Sequence, residues 1–253
     1  MDLHTIITLL LPLAGVACVA GFIDTIAGGG GLITVPVLML YQLPPVALLA
    51  TNKLQASAGT FTSTLTLWRK KQLHLRSLKV PFCLAFLGSV AGTLLIQRIT
   101  PHFLMIVVPI VLAMIALYFL FAPAAGKIEC APRISETLYN RTIIPLIGFY
   151  DGFFGPGTGS FFSLAEVACR GRQLVKATAN AKAFNLASNI ASLLIFIVSG
   201  KVIWMIGLAM LVGQLVGAYF GSLTIIGGGA AFIRPLIVIM YLCMLGRYLW
   251  MNA

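Results

Sequence analysis

Long apolar stretches follow one another along this chain, and they are the feature that most limits its possible folds. Most approach or exceed the ~20 residues that an α-helix needs to cross a bilayer. They cover 5–42, 44–68, 80–97, 102–122, 142–168, 174–199, 202–226 and 231–252. Hydrophobic residues make up 60% of the chain and charged residues only 9%, whereas a soluble domain carries about 25% charged residues. These proportions exclude a soluble enzyme, a nucleic-acid-binding protein and a disordered protein, and they predict an all-α polytopic membrane protein.

Glycine clusters interrupt two of these stretches. The first, 5–42, is too long for one crossing and contains the run Gly28-Gly29-Gly30-Gly31. The second, 142–168, contains Gly155-Pro156-Gly157-Thr158-Gly159. Because glycine tolerates backbone conformations that other residues avoid, both stretches are predicted to be broken helices. We expect eight main helical segments and up to ten crossings, although the short half-helices could instead be re-entrant.

The two halves of the chain repeat each other. The sequence around Asp24 recurs around Asp151, 127 positions later. Three further features recur in the same order at offsets of 125 to 129: Lys53 as Lys182, the GxxxG pair Gly88/Gly92 as Gly213/Gly217, and Pro109 as Pro235. This agreement predicts a first transmembrane repeat at 1–122, a linker at 123–141 and a second repeat at 142–253. An odd number of crossings per repeat would make the repeats inverted, as in many transporters.

Positive charge is concentrated in a few of the predicted loops. When each broken stretch counts as two crossings and the N-terminus lies outside, 12 of the 17 Lys and Arg residues fall in inside loops and three in outside loops. Cytoplasmic loops of membrane proteins carry an excess of Lys and Arg. The basic loops 69–79, 123–141 and 169–176 are therefore predicted to be cytoplasmic.

Four ionisable residues lie where the interior of the bilayer is expected. Asp24 and Asp151 each precede a glycine break, and Lys53 and Lys182 each lie on the next helix of the same half. Charged groups at this depth are costly and usually face a cavity or a transport pathway. Each Asp could instead cap the unwound backbone beside it, and each Lys could extend to the membrane interface. Because the repeat relates all four residues, we favour a shared functional site.

Hydrogen-bond donors are abundant around these residues. A half-helix that begins at a glycine break directs free N–H groups and the positive end of its dipole into the adjoining space. The substrate-binding candidates are Gly28, Gly29, Gly30, Asn52, Lys53, Gly155, Gly157, Thr158, Gly159, Asn180, Lys182 and Asn185. Such a donor set suits a small oxyanion. Asp24 and Asp151 could balance the lysines, carry a coupling proton or hold the breaks together, and Glu166 could be a proton entry point or an interfacial residue.

Motifs for other chemistries do not accompany these features. Neither glycine break continues into the Gly-Lys-Ser/Thr of a P-loop, and no βαβ pattern is present to support dinucleotide binding. The five cysteines form no CxxC pattern, and the histidines lie near the ends of the predicted segments. We therefore predict no metal site and no cofactor. We also expect any coupling to use an ion gradient or the gradient of the solute itself.

The paired motifs resemble those of the sulfite exporter TauE/SafE family, also called the four-toluene-sulfonate uptake permease family. The resemblance rests on GFIDTIAGGGGLITVPVL at 21–38, ATNKLQ at 50–55, GFYDGFFGPGTGSFF at 148–162 and ATANAKAFNLASN at 177–189. It extends over nearly the whole chain. It implies secondary transport of sulfur-containing anions, such as sulfite, thiosulfate, sulfoacetate or sulfonates, across the bacterial inner membrane, without implying one substrate.

The sequence and the resemblance together predict a secondary transporter that works by alternating access around a midplane anion site. Its expected partners are a small anionic solute and the lipid bilayer, with no nucleic acid, and a homo-oligomer stays open. We expect no enzymatic activity. Three alternatives remain: an anion channel with 155–159 as its filter, an intramembrane enzyme that uses Asp24 and Asp151 as a carboxylate pair, and a subunit without transport activity of its own.

Overall fold

The computed structural model describes residues 6–98 and 129–227. Eight main helices lie in these ranges, and no strand does. They are α1 (Leu11–Ala27), α2 (Gly31–Leu40), α3 (Pro45–Arg69), α4 (Lys79–Ile96), α5 (Ile144–Phe153), α6 (Thr158–Arg170), α7 (Leu174–Val198) and α8 (Trp204–Gly227). Short helical turns precede three of them: Ile6–Leu10 before α1, Leu75–Leu78 before α4, and Glu136–Leu138 with Tyr139–Ile143 before α5. The predicted all-α fold is confirmed.

Proline and glycine set several of the helix boundaries. A proline occupies the first or second position of α1, α3 and α5, where its missing N–H group has no helical partner to lose. The predicted breaks lie at 28–30, between α1 and α2, and at 154–157, between α5 and α6. The predicted segments 102–122 and 231–252, and residues 123–128 of the linker, lie outside the described residues.

Four helical stretches within residues 6–98 and 129–227 are long and apolar enough to cross a membrane. They are Thr8–Ala27, Leu75–Ile96, Leu174–Val198 and Trp204–Gly227. Large apolar side chains remain exposed on α1, α4 and α8, including Val19, Leu87 and Val212. Lipid is the environment in which such a surface is stable. The chain is thus a multi-pass membrane protein.

Helix α7 lies at the centre of the helical assembly. It packs against α3, α4, α5 and α6. Of its most apolar window, 67% is buried, compared with 33–44% for the other three apolar stretches. This central position explains why α7 can carry polar side chains such as Lys182, Asn185 and Asn189, all of which are buried in protein.

Two of the helix pairs that join the halves of the chain pack through GxxxG glycines. In the α4–α5 pair, Gly88 lies on the Pro145 carbonyl and Gly92 on the Phe149 carbonyl. In the α1–α8 pair, the corresponding contacts are Gly213 with the Ala14 carbonyl and Gly217 with the Cys18 carbonyl. A Cβ atom at any of these four glycines would overlap a backbone oxygen, so small residues are required for the helices to approach this closely. Both GxxxG pairs are therefore helix-packing residues.

Candidate functional site

The two glycine breaks contact each other at the centre of the molecule. Gly28 ends α1 in the left-handed region, with φ of +79°, and its Cα lies against the backbone of Gly159 and Ser160 at the start of α6. The Ser160 hydroxyl donates a hydrogen bond to the Ala27 carbonyl. The second break needs two left-handed glycines, Gly155 (φ +97°) and Gly157 (φ +86°). The N-terminal ends of α2 and α6 are thereby brought together.

Both buried lysines form ion pairs with the aspartate of the opposite half. Lys53 Nζ lies 2.8 Å from Asp151 Oδ1, and Lys182 Nζ lies 3.1 Å from Asp24 Oδ2. The exposed fraction of all four residues is 9% or less. A buried charge without a partner is strongly unfavourable, so each half depends on the other to neutralise its charges.

Asp24 also fixes the geometry of the first break. Its Oδ1 accepts a hydrogen bond of 2.9 Å from the N–H group of Gly30. Its backbone carbonyl and its Oδ2 both accept from Lys182 Nζ. Both carboxylate oxygens of Asp24 are therefore engaged, one by backbone and one by a lysine. Asp24 thus caps the unwound backbone beside it, as one of the two interpretations of the sequence predicted, and it also binds Lys182.

Asp151 and Lys53 have a different set of partners. Lys53 Nζ donates to Asn189 Oδ1 at 2.9 Å in addition to its contact with Asp151. Asn189 Nδ2 in turn donates to Asn185 Oδ1 at 3.1 Å. Asp151 Oδ2 is buried and has no hydrogen-bond partner among the described residues. The second pair thus retains an unused acceptor, whereas the first pair does not.

The amide of Asn52 is oriented by two neighbours. Thr34 Oγ1 donates to Asn52 Oδ1 at 2.6 Å, and Gln55 Nε2 donates to the same oxygen at 2.7 Å. With its oxygen saturated by donors, Asn52 has its NH₂ group left to offer a ligand. Asn185 is oriented in the same sense, because its oxygen accepts from Asn189. The NH₂ group of Asn52 lies beside Gly31, and that of Asn185 lies beside Gly159.

A small cavity of about 20 Å³ lies between the two breaks and the two lysine-bearing helices. A volume of this size holds about one water molecule. Its lining in the described residues is Asp24, Gly28, Gly31, Asn52, Lys53, Ala56, Asp151, Gly155, Gly157, Thr158, Asn185 and Asn189. The cavity is small and polar, and its lining combines one lysine and three asparagine side chains with two carboxylates.

Several of the predicted site residues lie at this cavity and several do not. Nine of the fourteen line it, including both aspartates and Lys53. The described lining omits Gly29, Gly30, Gly159, Asn180 and Lys182. Gly159 and Lys182 lie directly behind the first break, in contact with Gly28 and Asp24.

The structure adds Gly31, Ala56 and Asn189, which were not among the candidates. Asn189 follows Lys182 by seven residues, which places both on one helical face.

Asn180 belongs to a separate cluster at the turn between α6 and α7. Its Nδ2 donates to Glu166 Oε2 at 2.6 Å, and the same oxygen lies 3.7 Å from Nε of Arg172. Arg170 from the same turn donates to the Ile134 carbonyl at 2.7 Å. Glu166 is only 3% exposed. This arrangement fastens the α6–α7 turn to the chain that precedes α5 and leaves Asn180 facing away from the central cavity.

Comparison with protein families gives one clear match. The sequence model of the family described as sulfite exporter TauE/SafE matches residues 13–248. The chain belongs to the sulfite exporter TauE/SafE family. The resemblance inferred from the paired glycine and lysine motifs is therefore confirmed. The matched range includes both breaks and both ion pairs.

Curated relatives of this TauE/SafE protein carry transporter names. A "Probable membrane transporter protein" of Haemophilus influenzae is 43% identical over 244 residues, which is 96% of each chain. "Probable membrane transporter protein YfcA" of Escherichia coli is 45% identical over 235 residues, covering 93% of this chain and 87% of the relative. A Sinorhizobium relative named "Probable membrane transporter protein ORF9" is 41% identical over 233 residues, 92% of this chain and 89% of its own. No solved structure matches the chain.

The family, the names of the relatives and the apolar helices agree on a coarse function. They support a membrane transporter. Asp24 and Asp151 are bound to different lysines, Lys182 and Lys53. This arrangement differs from that of a catalytic carboxylate pair, in which both carboxylates face one substrate.

Proposed function

We propose that this TauE/SafE protein is a secondary transporter that moves small sulfur-containing anions, of the sulfite, thiosulfate or organosulfonate type, across the bacterial inner membrane. One observation carries the proposal. Two lysine–aspartate ion pairs, each formed between opposite halves of the chain, lie beside one cavity. An anion that replaces a carboxylate as the partner of a lysine would loosen a contact between the halves. Binding would thereby be coupled to movement, because a ligand shifts a conformational equilibrium through contacts that differ between states.

The donors around the cavity account for selection of an oxyanion. Lys53 supplies a positive charge, and Asn52 and Asn185 supply NH₂ groups whose oxygens are already occupied. The half-helix ends at the two breaks add positive dipole ends. A tetrahedral or pyramidal anion with three exposed oxygens can accept from several of these donors at once. A planar aromatic or purely apolar solute has no means to do so.

The volume of the cavity supports an alternating-access mechanism. A space of about 20 Å³ is smaller than an anion of four or more heavy atoms, so the described conformation is a closed one. Substrate must enter through a conformation in which the halves separate on one side. Reciprocal packing of α4 on α5 and of α8 on α1 supports treating 1–122 and 142–253 as inverted repeats, with the basic loops 69–79, 123–141 and 169–176 in the cytoplasm.

Uptake by sealed proteoliposomes tests the function. The labelled solutes are sulfite, thiosulfate and a small sulfonate, each with and without an imposed proton gradient. We expect saturable uptake of at least one anion, and loss of that uptake in Lys53→Ala and Lys182→Ala. Lys201→Ala is the matched control, since Lys201 is an exposed residue in the turn before α8.

Other outcomes of the same experiment would point to other functions. Non-saturating anion conductance would indicate a channel, and consumption of a solute in detergent would indicate an enzyme. Normal uptake in both lysine variants would refute the site. Failure of folded, inserted protein to move any of the three anions would refute the substrate class.

A further inference from the structure

The two aspartates of the central site are not equivalent, although the repeat relates them. Asp24 uses Oδ1 to accept from the N–H group of Gly30 and Oδ2 to bind Lys182. Asp151 binds Lys53 through Oδ1 alone, and its Oδ2 is buried without a partner in the described part of the chain. Asp151 also lines the cavity. The free oxygen of Asp151 is therefore the position at which the site can accept something more.

The net charge of the site determines what that addition must be. Two lysines and two aspartates sum to zero, and they are all buried. A monovalent anion that entered this site alone would leave one uncompensated negative charge in a region of low dielectric, which is strongly unfavourable. One proton bound together with the anion restores neutrality. Of the two carboxylates, only Asp151 has an oxygen free to receive it.

Among the described residues, Lys53 is the one charged group in direct contact with Asp151. Helix α3 supplies Lys53, and α1 and α7 supply the neighbouring Asp24–Lys182 pair, which is internally neutral. Helix α4 approaches this turn of α5 with the Thr93 hydroxyl, which donates to the Gly152 carbonyl. Helix α6 begins with the hydroxyl of Thr158, which donates to the Gly155 carbonyl. Protonation of Asp151 would thus release the ammonium group of Lys53.

We propose that Asp151 is the proton-carrying residue of this transporter and that one proton moves with each monovalent anion, in the same direction. The inference rests on the proposed transport function. A proton from the open side binds Asp151 Oδ2, and the ion pair with Lys53 breaks. The anion then takes the place of the carboxylate beside Lys53. After the halves move, the anion leaves, Asp151 loses its proton on the other side, and the ion pair forms again. The complete step moves no net charge.

Proteoliposomes that contain a trapped pH indicator provide the test. In the wild-type protein, we expect one proton to enter per monovalent anion and an inward gradient of ~1 pH unit to give about tenfold accumulation. A membrane potential should have little effect on the rate. Asp151→Asn resembles the protonated state, so it should move the anion without the proton. Its uptake should lose the response to the pH gradient and gain a response to the membrane potential.

Asp24→Asn serves as the comparison, because Asp24 holds the first break through Gly30. We expect this variant to lose uptake, and neither a pH gradient nor a membrane potential should restore it. Retained stimulation of Asp151→Asn by the pH gradient would overturn the inference while leaving the transport function intact. If the wild-type protein moves none of the anions, both the proposed function and this inference are refuted.

A second measurement tests the inference on the wild-type protein, in case Asp151→Asn does not insert into the membrane. Wild-type protein in weakly buffered detergent solution is titrated with a small alkanesulfonate, an anion that keeps a single negative charge, and the pH is followed. Uptake of one proton per bound anion is expected. Binding without any proton uptake would overturn the inference.

Discussion

Lys53 and Asp151 form a 2.8 Å ion pair that joins the two halves of the chain at the cavity between the glycine breaks. Asp24 and Lys182 form the corresponding pair with the halves exchanged. Each of the four buried charges therefore has its ion-pair partner in the opposite half. Each ion pair is a structural contact between the halves, and under the proposed mechanism it is also the contact that the anion replaces. The pairs therefore lead to separate predictions for stability and for transport.

Removal of one partner of the Lys53–Asp151 pair should destabilise the protein, whereas removal of both charges should not. Lys53→Met leaves a carboxylate buried without its partner, which costs about 3–5 kcal/mol. The double variant Lys53→Met/Asp151→Asn removes both charges at similar volume and should recover most of that loss. Thermal unfolding in detergent measures both effects. Transport should be absent from the double variant despite its stability, and recovery of transport would contradict the role of Lys53 in binding the anion.

Asn52 and Asn180 should behave differently although both lie close to a lysine in the sequence. Asn52 lines the cavity with its oxygen occupied by Thr34 and Gln55. Asn52→Ala should raise the KM for the anion by about tenfold, as expected for the loss of a hydrogen bond to a charged group. Asn180→Ala should leave KM close to that of the wild-type protein and lower the unfolding temperature, because Asn180 binds Glu166 instead. Equal effects on KM would show that the cavity is not the binding site.

The breaks and the four charged residues could be predicted from the sequence because they depart so clearly from their surroundings. Four consecutive glycines and isolated charges have no place in a continuous apolar helix. The partner of each charge could not be predicted. Asp24 is closer in sequence to Lys53 than to Lys182, and only the packing of one half against the other places Lys182 at 3.1 Å.

Helical periodicity carried more information about the site than proximity in sequence did. Asn180 precedes Lys182 by two residues, so it lies about 200° around the helix from it. Asn189 follows Lys182 by two turns and faces the same way. Proximity favours the first residue, but the structure places the second at the cavity. Contacts such as the Phe149 carbonyl on Gly92 could not be predicted either, since a GxxxG pattern predicts close packing without identifying the partner.

The contact between Glu129 and Lys176 should make a small pH-dependent contribution to stability. Lys176 Nζ donates to Glu129 Oε1 at 2.9 Å, and this hydrogen bond lowers the pKa of Glu129 below its ordinary value of 4.5. Because the pKa is lower in the folded state, the stabilisation is present above pH 4.5 and is lost as the pH falls through the lowered pKa. Glu129→Gln should therefore unfold at a lower temperature than the wild-type protein at neutral pH.

That difference between Glu129→Gln and the wild-type protein should disappear in acid. It should also shrink at high salt, because the side chains of Glu129 and Lys176 are about half exposed and salt screens such pairs. Lys176→Gln provides the matched control and should show the same dependence on pH. A difference that stays constant from neutral to strongly acidic pH would mean that the contact contributes through something other than the charge of Glu129.

The close approach of α4 to α5 should make Gly92 intolerant of any side chain. A Cβ at Gly92 would overlap the Phe149 carbonyl, so Gly92→Ala must push the helices apart at a cost of about 1–3 kcal/mol. Gly15, also within a helix, has no described atom within 4 Å of its Cβ position, and Gly15→Ala should stabilise α1 by about 0.5–1 kcal/mol. Unfolding temperatures in detergent compare the two. Similar behaviour of the two variants would contradict the α4–α5 contact.

The contact between the two breaks should make Gly28 essential for more than its backbone conformation. Gly28 and Gly200 both have positive φ, +79° and +63°, so alanine at either position costs about 1–2 kcal/mol of backbone strain. A Cβ at Gly28 would in addition overlap the backbone of Gly159 and Ser160, whereas the Cβ position of Gly200 meets no described atom within 4 Å. Gly28→Ala should therefore abolish anion uptake, and Gly200→Ala should retain it with a modest loss of stability. Because the two variants share the strain, the difference in uptake measures what the contact between the breaks contributes. Full uptake by Gly28→Ala would mean that the two half-helices need not touch during transport, and the cavity between them would then be an unsuitable place for the anion.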